Sequence, residues 1–258
     1  MDTAKLAKRL RDAQESKIAI TPLRNEIGTT DQKLAYEIQR INAEFRENAG
    51  ARITGKKIGL TSKVVQRQLG VDEPDFGILF DDMEVLNGQD ISMSALMQPK
   101  VEAEMAFVLS DDLDMENLTM LDIFSSIDFV LPAIEIVGSR ILNWDLKITD
   151  TIADNASASH YVLGHTPKTL DEFDVVHSEM NMLINDKVVS SGKGSDCLGS
   201  PLNAILWLAR KMQELGDPLQ EGEVILSGAL GPFVDVQAND HVIANFSGLG
   251  SVSVFFSE

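Results

Sequence analysis

The sequence predicts an α+β protein in which a helical N-terminal portion, residues 1–52, precedes a β-rich core, residues 53–258. In the N-terminal portion apolar side chains recur at helical spacing, whereas later residues form short strand-like runs broken by Gly, Pro, Asn and Asp. No repeat, low-complexity tract or linker divides the 258 residues, which suffice for one large hydrophobic core. We therefore expect one bipartite domain.

The N-terminal portion is predicted to contain an amphipathic helix that begins near Thr30 and Asp31, both of which are suitable N-cap residues. Charged residues separate the apolar positions that follow, which are Leu34, Ile38, Ile41 and Phe45. Spacings of three and four residues place these side chains along one helix face. We expect this face to pack against the rest of the protein.

The strand candidates of the core are short apolar runs bounded by turn residues. In chain order they are RITGKKIGL, FGILF, KVEAEMAFVL, LPAIEIVG, EMNMLIND, GEVILSG, HVIANF and SVSVFF. The last two are separated by Ser247-Gly248-Leu249-Gly250, which suits a hairpin turn.

One helix is predicted within the core, with Ser200 and Pro201 at its start and Gly216 at its end. Its apolar face is expected to consist of Leu202, Ile205, Leu206, Ala209 and Met212.

The charge balance restricts the partners. With 22 basic and 40 acidic residues the formal net charge is −18, which repels phosphate backbones and anionic lipid surfaces. We expect neither nucleic acid nor membrane as a partner, and an anionic substrate would need a local positive centre such as a metal ion or a lysine.

Cys197 is the single cysteine, so an intrachain disulfide or a cysteine-rich zinc site is excluded, which favours the cytoplasm. The N-terminus lacks the apolar stretch of a signal peptide.

Three glutamates in two strand candidates form a candidate metal site. Glu102 and Glu104 alternate along KVEAEMAFVL and therefore share one strand face, and Glu135 lies inside the apolar run FVLPAIEIVG. An isolated Glu-x-Glu pair is more often a solvated strand face, and Glu135 is as well explained by an ion pair with Arg140 or another cation. If the three converge, their oxygens favour Mg²⁺ or Mn²⁺ and leave positions for a chelating 2-oxo acid.

Other candidates are open to two interpretations. In GKKIGLTS, Lys56 and Lys57 would face opposite sides of a strand, so at most one points into a site, although composition favours two solvated lysines. The acids of VDEPDFGILFDDM suit an exposed turn or a general acid or base on a loop; they are Asp72, Glu73, Asp75, Asp81 and Asp82. The segment with Asp154, Asn155 and Ser157 suits local backbone bonding or substrate contact, and Gly228 and Gly231 suit a tight turn or close approach of a ligand.

Six segments together resemble the hydratase/decarboxylase branch of the fumarylacetoacetate hydrolase superfamily. They are KIGLTSKVVQRQLGVDEPDFGILFDDM, PKVEAEMAFVL, VLPAIEIVGSRI, DTIADNAS, GSDCLGSPLNAILWLARKM and VILSGALGP, in order from about residue 53 to the C-terminus. The resemblance implies a β-rich core of mixed sheets rolled around the active site, an N-terminal helical portion and a bound Mg²⁺ or Mn²⁺ ion. It also implies a homo-oligomer, pentameric or decameric.

The resemblance further implies roles for individual residues. The metal ligands of the family match Glu102, Glu104 and Glu135, and its active-site lysine matches Lys57. Asp75 and Asp82 are the expected catalytic acid/base candidates, and Asp154, Ser157 and Gly228 are expected to bind substrate.

The implied activity is hydration of 2-hydroxypenta-2,4-dienoate, the enol of 2-keto-4-pentenoate, to 4-hydroxy-2-oxopentanoate in the degradation of aromatic compounds. The alternatives are a decarboxylase for 2-oxo dicarboxylates of the 4-oxalocrotonate type, or a non-catalytic partner subunit of one. A hydrolase of acylpyruvates is disfavoured, because such an enzyme commonly uses a histidine base and no histidine precedes His160.

Overall fold

The computed structural model describes residues 2–62, 66 and 73–258. Part of the segment KIGLTSKVVQRQLGVDEPDFGILFDDM, including Asp72, lies outside the described residues. Among the helices that the structure describes, none has the length and apolar character needed to cross a bilayer.

Six α-helices are found in the described ranges. They are α1 Thr3–Ser16, α2 Arg24–Ile27, α3 Gln32–Asn48, α4 Met120–Ser125, α5 Ile148–Ala153 and α6 Pro201–Leu215. The predicted N-terminal helix is confirmed as α3. Asp31 is its N-cap, with a carboxylate oxygen that accepts a hydrogen bond from the Leu34 N–H at 3.0 Å. Ile38 is fully buried, but Phe45, expected on the same face, is half-exposed beneath the guanidinium of Arg11.

The predicted core helix is confirmed as α6. The Ser200 hydroxyl accepts a hydrogen bond from the Leu202 N–H, Pro201 occupies the first turn, and Gly216 ends the helix with a φ of 76°. This left-handed conformation is readily adopted by glycine because it has no Cβ.

Thirteen strands are described, including a counterpart for every predicted strand. They are β1 Ile53–Gly59, β2 Asp75–Phe80, β3 Glu84–Leu86, β4 Asp90–Ser92, β5 Lys100–Leu109, β6 Ile127–Val137, β7 Ala158–Leu163, β8 Glu179–Ile184, β9 Lys187–Lys193, β10 Val224–Leu226, β11 Val234–Asp235, β12 His241–Phe246 and β13 Gly250–Ser257.

The strands form two mixed sheets, which confirms the predicted α+β class. The larger sheet has the order β2-β1-β10-β5-β6-β7-β3, with β11 paired to β5, and it curls around one of its faces. The smaller sheet has the order β4-β13-β12-β8-β9, in which β12 and β13 form the predicted hairpin. We call the face around which the larger sheet curls the curled face. The polar groups of the candidate site lie on this face.

The apolar core has three parts. One lies between the two sheets and α6 and includes Phe107, Ile134 and Val254. A second joins the N-terminal helices to α5, where Ile148 and Ile152 pack with residues such as Ile38. The third covers part of the curled face of the larger sheet and includes Leu79, Ala133 and Tyr161. The N-terminal helices therefore pack directly against the element that leads into the candidate site.

We expect Ile38→Ala to destabilise the protein by about 2 to 5 kcal/mol, because it opens a cavity in this helical core. Phe45→Ala, at a half-exposed position of the same helix, serves as the control and should cost less than about 1 kcal/mol. Urea unfolding followed by circular dichroism measures both values. Equal losses for the two variants would contradict the assigned packing of α3.

Candidate functional site

The register of two neighbouring strands brings the three predicted glutamates together. Glu102 of β5 lies directly opposite Glu135 of β6, and Glu104 lies two residues further along β5 on the same face. One carboxylate oxygen from each lies within 4.8 Å of the others. Glu104 and Glu135 are fully buried, whereas Glu102 is half-buried. The alternative of a solvated strand face is therefore wrong for Glu104.

Several oxygens of this cluster are buried without a hydrogen bond. They are Oε1 of Glu104 and both carboxylate oxygens of Glu135. The other oxygen of Glu104 accepts a hydrogen bond from the backbone N–H of Gly228 at 2.8 Å. Because a buried unsatisfied acceptor is costly, the arrangement is that of a site built for a ligand. Converging carboxylate oxygens are the donor set that Mg²⁺ and Mn²⁺ prefer, so these residues fit a hard divalent cation.

The electrostatics of the cluster also fit a cation. Burial raises the pKa of Glu102 to about 7, with Lys57 opposing the shift and Glu135 adding to it. Burial and the neighbouring carboxylates raise the pKa of Glu104 well above its ordinary value. Burial also raises the pKa of Glu135, although Lys57 opposes it. Three ionised carboxylates in this space are unfavourable with a single lysine as the only positive charge. They require additional positive charge.

Lys57 is the cation that the sheet places beside the glutamates. Its register partners are Gly77 of β2 and Leu226 of β10, and its ammonium lies 3.1 Å from Oε2 of Glu135, an ion pair whose angles are not those of a hydrogen bond. It donates a hydrogen bond to the carbonyl of Ala156 at 3.0 Å. Burial opposes the charge, yet the pKa of Lys57 is raised because Glu135 and the other nearby carboxylates outweigh burial. Lys57 is therefore held protonated.

The neighbouring Lys56 faces the other side of the sheet, as predicted for adjacent strand residues. Its ammonium lies 2.6 Å from a carboxylate oxygen of Glu223. Both lysines are almost fully buried, at 2% and 3% exposure, so the alternative of two solvated lysines is wrong. Each charge is kept inside the protein by a carboxylate partner.

Asp75 is also on the curled face, since it lies opposite Gly59 in the β1–β2 pair. The expectation of an exposed turn is wrong for this residue, which begins a fully buried strand. Its carboxylate accepts a hydrogen bond from the Thr151 hydroxyl at 3.0 Å. Burial raises the pKa of Asp75, and Lys57 opposes the shift. Asp75 is thus a buried carboxyl group within the electrostatic field of Lys57.

Two glycines of the sheet leave room for the Asp75 carboxylate and for the backbone carbonyl of Asn155. A Cβ on Gly59 would lie 2.1 Å from Oδ1 of Asp75, and a Cβ on Gly77 would lie 2.3 Å from the carbonyl oxygen of Asn155. Both distances are far below a van der Waals contact. Sequence reasoning missed this role, although the glycines within GKKIG and PDFG were the available signal.

The turn Asn155–Ser157 packs against β1 and β2 beside the site. All three residues are left-handed, with φ values of 55°, 48° and 58°, a conformation that is costly for residues with a Cβ. The Asn155 side chain holds the turn by bonding to the backbone N–H and carbonyl of Ile78. The turn aims the Ala156 carbonyl at Lys57 and leaves the buried Ser157 hydroxyl without a hydrogen bond. The predicted local backbone bonding is therefore confirmed for Asn155, and substrate contact stays a prediction for Ser157.

Asp154 lies beside the turn but is engaged by protein groups. Its carboxylate forms an ion pair with the Arg140 guanidinium and accepts hydrogen bonds from the Arg140 backbone N–H and the Ser139 hydroxyl. Burial raises the pKa of Asp154, and Arg140 opposes the shift. Arg140 is therefore not the partner of Glu135, but the alternative of an ion pair with another cation is confirmed, because Lys57 lies beside Glu135.

The remaining predicted residues have different positions. Asp82 is on the surface, with 64% of its side chain exposed, and it pairs with Arg46. Gly228 touches the cluster through its N–H and has a φ of 98°, where a Cβ would lie 2.4 Å from the Thr61 hydroxyl oxygen. The structure thus brings together the three glutamates, Lys57, Asp75, Ser157 and Gly228, and it leaves Asp82 outside this group.

Known proteins share this arrangement of strands and helices. The family model for the fumarylacetoacetate hydrolase C-terminal domain matches residues 56–254. The chain is 53% identical over 254 residues to the TodF product hydratase of Pseudomonas putida strain F1, covering 98% of this chain and 95% of the relative. It is 48% identical to the 2-keto-4-pentenoate hydratase of Burkholderia vietnamiensis strain G4, covering 99% and 97% of the two chains.

The structure of 4-oxalocrotonate decarboxylase from Pseudomonas putida G7, complexed with magnesium and adipate, is similar as well. It has a TM-score of 0.95 and 31% sequence identity, and the match covers 98% of this chain and 97% of that one. With the family model matched over most of its length and close relatives matched end to end, this chain belongs to the fumarylacetoacetate hydrolase family.

Proposed function

We propose that this protein is a metal-dependent 2-keto-4-pentenoate hydratase, which adds water to 2-hydroxypenta-2,4-dienoate to give 4-hydroxy-2-oxopentanoate. The observation that carries the proposal is the cluster of Glu102, Glu104 and Glu135 beside the charged Lys57, in which three buried carboxylate oxygens lack hydrogen bonds. Relatives at 53% and 48% identity are named hydratases, which supports this activity.

The cation would be Mg²⁺ or Mn²⁺, held by one or more oxygens of each of the three glutamates. Bound there, it supplies Lewis acidity that polarises the 2-oxygen of the substrate and offsets negative charge on that oxygen. The similar decarboxylase, whose structure contains magnesium, supports the choice of a hard divalent ion.

Lys57 would bind the negatively charged oxygens of the substrate. Its ammonium is fixed by the Ala156 carbonyl and the Glu135 carboxylate, both of which favour the charged form of the side chain. A fixed charge in a buried site stabilises a developing anion more than a solvated charge does. Lys57 thereby favours the electron-rich form of the dienoate, which takes up a proton at its terminal carbon.

Asp75 is the acid/base group that we favour over Asp82. Its raised pKa increases the protonated fraction that can deliver a proton to the terminal carbon, C5, while the 2-hydroxyl group gives up its proton to solvent. The resulting carboxylate can take a proton from the water that adds at C4, and the enolate left by that addition takes up a proton from solvent at C3 to give the 2-oxo product. Asp82 is exposed and paired with Arg46, so it lacks the burial that such a role requires.

The hydroxyl of Ser157, which is buried and has no hydrogen bond, would bind the substrate. Asp154 would act indirectly by holding Arg140 and the adjoining turn.

Decarboxylation of a 2-oxo dicarboxylate is the second candidate, because the similar decarboxylase structure has a TM-score of 0.95. The sequence identity to this decarboxylase is 31%, compared with 53% to the TodF product hydratase. This difference favours hydration.

The purified protein should consume 2-hydroxypenta-2,4-dienoate in the presence of Mg²⁺ or Mn²⁺ and form 4-hydroxy-2-oxopentanoate. Dienol absorbance and product chromatography follow this reaction, while CO₂ release from 2-oxo-3-hexenedioate measures decarboxylation separately. Removal of the metal with EDTA should abolish hydration, and added Mg²⁺ or Mn²⁺ should restore it. Faster turnover of the dicarboxylate than of the dienoate would overturn the assignment.

Glu135→Gln should weaken Mn²⁺ binding by at least about tenfold, because it removes a charged ligand and leaves the amide N–H₂ facing a cation. Calorimetric titration with Mn²⁺ measures this affinity independently of turnover. Glu179→Gln, at an exposed position of β8, is the control and should bind Mn²⁺ as the wild type does. Wild-type Mn²⁺ affinity in Glu135→Gln would remove this residue from the metal site.

Lys57→Met should retain Mn²⁺ binding but lower kcat by about 100-fold or more, because a positioned charge is removed from the reacting centre. Lys56→Met is the matched control, since it removes an equally buried lysine from the opposite face of the same strand. The control should keep wild-type kcat at temperatures where circular dichroism shows it to be folded. If both variants lost turnover equally, the effect would be structural.

A further inference from the structure

The two oxygens of the Asp75 carboxylate have different surroundings. Oδ2 accepts the hydrogen bond from the Thr151 hydroxyl at 3.0 Å. A Cβ on Gly59 would lie 2.1 Å from Oδ1 of Asp75 and 3.7 Å from the Lys57 ammonium, so Oδ1 and the ammonium border the same space. Because Oδ2 already accepts an O–H donor, Oδ1 is the better placed of the two oxygens to carry and deliver a proton.

A glutamine of the N-terminal portion ties together the two backbones that meet at this hydrogen bond. The side-chain amide nitrogen of Gln39, on α3, donates to the carbonyl of Phe76 at 2.8 Å and to the carbonyl of Ile152 at 3.0 Å. Phe76 directly follows Asp75 in β2. Ile152 directly follows Thr151 in α5. We call these two hydrogen bonds the Gln39 bridge.

The Gln39 bridge lies at an edge of the larger sheet. Among the described strands, β2 is the last one at that edge, and the outward backbone groups of an edge strand need partners other than a strand. Gln39 supplies one for the Phe76 carbonyl. The Asn155 side chain supplies those for the N–H and carbonyl of Ile78. Side-chain hydrogen bonds therefore set the position of β2, and with it that of Asp75.

The N-terminal portion also anchors α5, which carries Thr151. The Thr149 hydroxyl donates a hydrogen bond to the carbonyl of Gly28 at 2.7 Å. The Asp150 carboxylate pairs with the Arg24 guanidinium and accepts a hydrogen bond from the Arg24 backbone N–H at 2.8 Å. Thr149, Asp150 and Thr151 are all buried, although such polar residues are mostly exposed in proteins. The Thr151 hydroxyl thus extends from a backbone that is held at several points.

We propose that Gln39 and Thr151 are positioning residues that orient Asp75 for proton transfer. The inference rests on the proposed function, in which Asp75 gives a proton to C5 of the dienoate. Thr151 holds Oδ2 and so turns Oδ1 toward the space beside Lys57, while the Gln39 bridge keeps β2 and α5 at the separation that this hydrogen bond needs. Displacement of a reacting group by about 1 Å can cost about 100-fold in rate. The N-terminal helical portion thereby supports the chemistry of the site.

Removal of the Thr151 hydroxyl tests the proposal. Thr151→Val keeps the size of the side chain but takes this donor from Oδ2 of Asp75, so kcat for hydration should fall about tenfold or more. KM and the Kd for Mn²⁺ should change by less than about twofold, because the glutamates and Lys57 are unaltered. Thr151→Ser restores a hydroxyl and should recover kcat to within about threefold of the wild type. Wild-type kcat in Thr151→Val, or equal losses in both variants, would overturn the proposal.

A double-mutant cycle distinguishes the orientation of Asp75 from general damage to the site. Asp75→Asn should lower kcat by more than Thr151→Val does, because it removes the proton donor itself. In the Asp75→Asn background, Thr151→Val should lower kcat by less than about twofold further, since the carboxyl group that it orients is absent. If Thr151→Val caused the same loss in both backgrounds, Thr151 would act elsewhere and the proposal would be wrong.

Gln39→Met tests the bridge and keeps the proposal testable if Thr151→Val fails to fold. It removes both hydrogen bonds while retaining a side chain of similar length and helix propensity, so kcat should fall about tenfold with little change in KM. Ile38→Ala, at the adjacent position of α3, is the control, because it opens a cavity but leaves the Gln39 bridge intact. Its kcat should stay within about twofold of the wild type where circular dichroism shows folded protein. Wild-type kcat in Gln39→Met, or equal losses in the two variants, would reject the bridge.

The two proposals fail in different ways. If the wild type with Mg²⁺ or Mn²⁺ did not hydrate the dienoate, the proposed function would fail, and the positioning of Asp75 would fail with it. If the wild type hydrated the dienoate and both Thr151→Val and Gln39→Met did so with wild-type kcat, the positioning of Asp75 alone would be rejected.

Discussion

The candidate site depends on the burial of three carboxylates on one face of a sheet. Glu102, Glu104 and Glu135 are brought within 4.8 Å of one another by the β5–β6 register, in a region where charge is poorly solvated. Lys57 offsets part of this charge, and the raised pKa values of the glutamates reflect the part that remains. A hard divalent cation resolves both the charge and the unsatisfied oxygens, so the same constraint explains the architecture and the proposed chemistry.

The surrounding fold keeps this charged group in place. Gly59 and Gly77 leave room for Asp75 and for the turn Asn155–Ser157, whose left-handed backbone is held by the Asn155 side chain. The N-terminal helices pack on α5, which leads into that turn. On the opposite face, Lys56 is neutralised by Glu223, so the apolar layer between the sheets contains no uncompensated lysine at this point.

Most of the secondary structure could be predicted because its signals are local. Asp31 caps α3, Ser200 and Gly216 bound α6, and alternation or apolar runs identified the principal strands. The side on which Lys57 lies relative to Lys56 also followed from strand geometry. Asp75 was harder to place, because a sequence of acids with Pro and Gly has the composition of a turn whether or not one acid begins a buried strand. The exposure of Phe45 likewise depends on what packs against α3.

The sequence by itself determined the α+β class, the caps of two helices and the placement of three glutamates on strand segments, because these depend on periodicity, capping and residue type. Only the tertiary structure decided that Glu135 faces Lys57 and that Arg140 is held by Asp154. It also decided that Asp75 is buried and that Asp82 is exposed. The physical reason is that strand register and the curl of the sheet bring together residues distant in the chain, and no local pattern specifies which buried charge meets which partner.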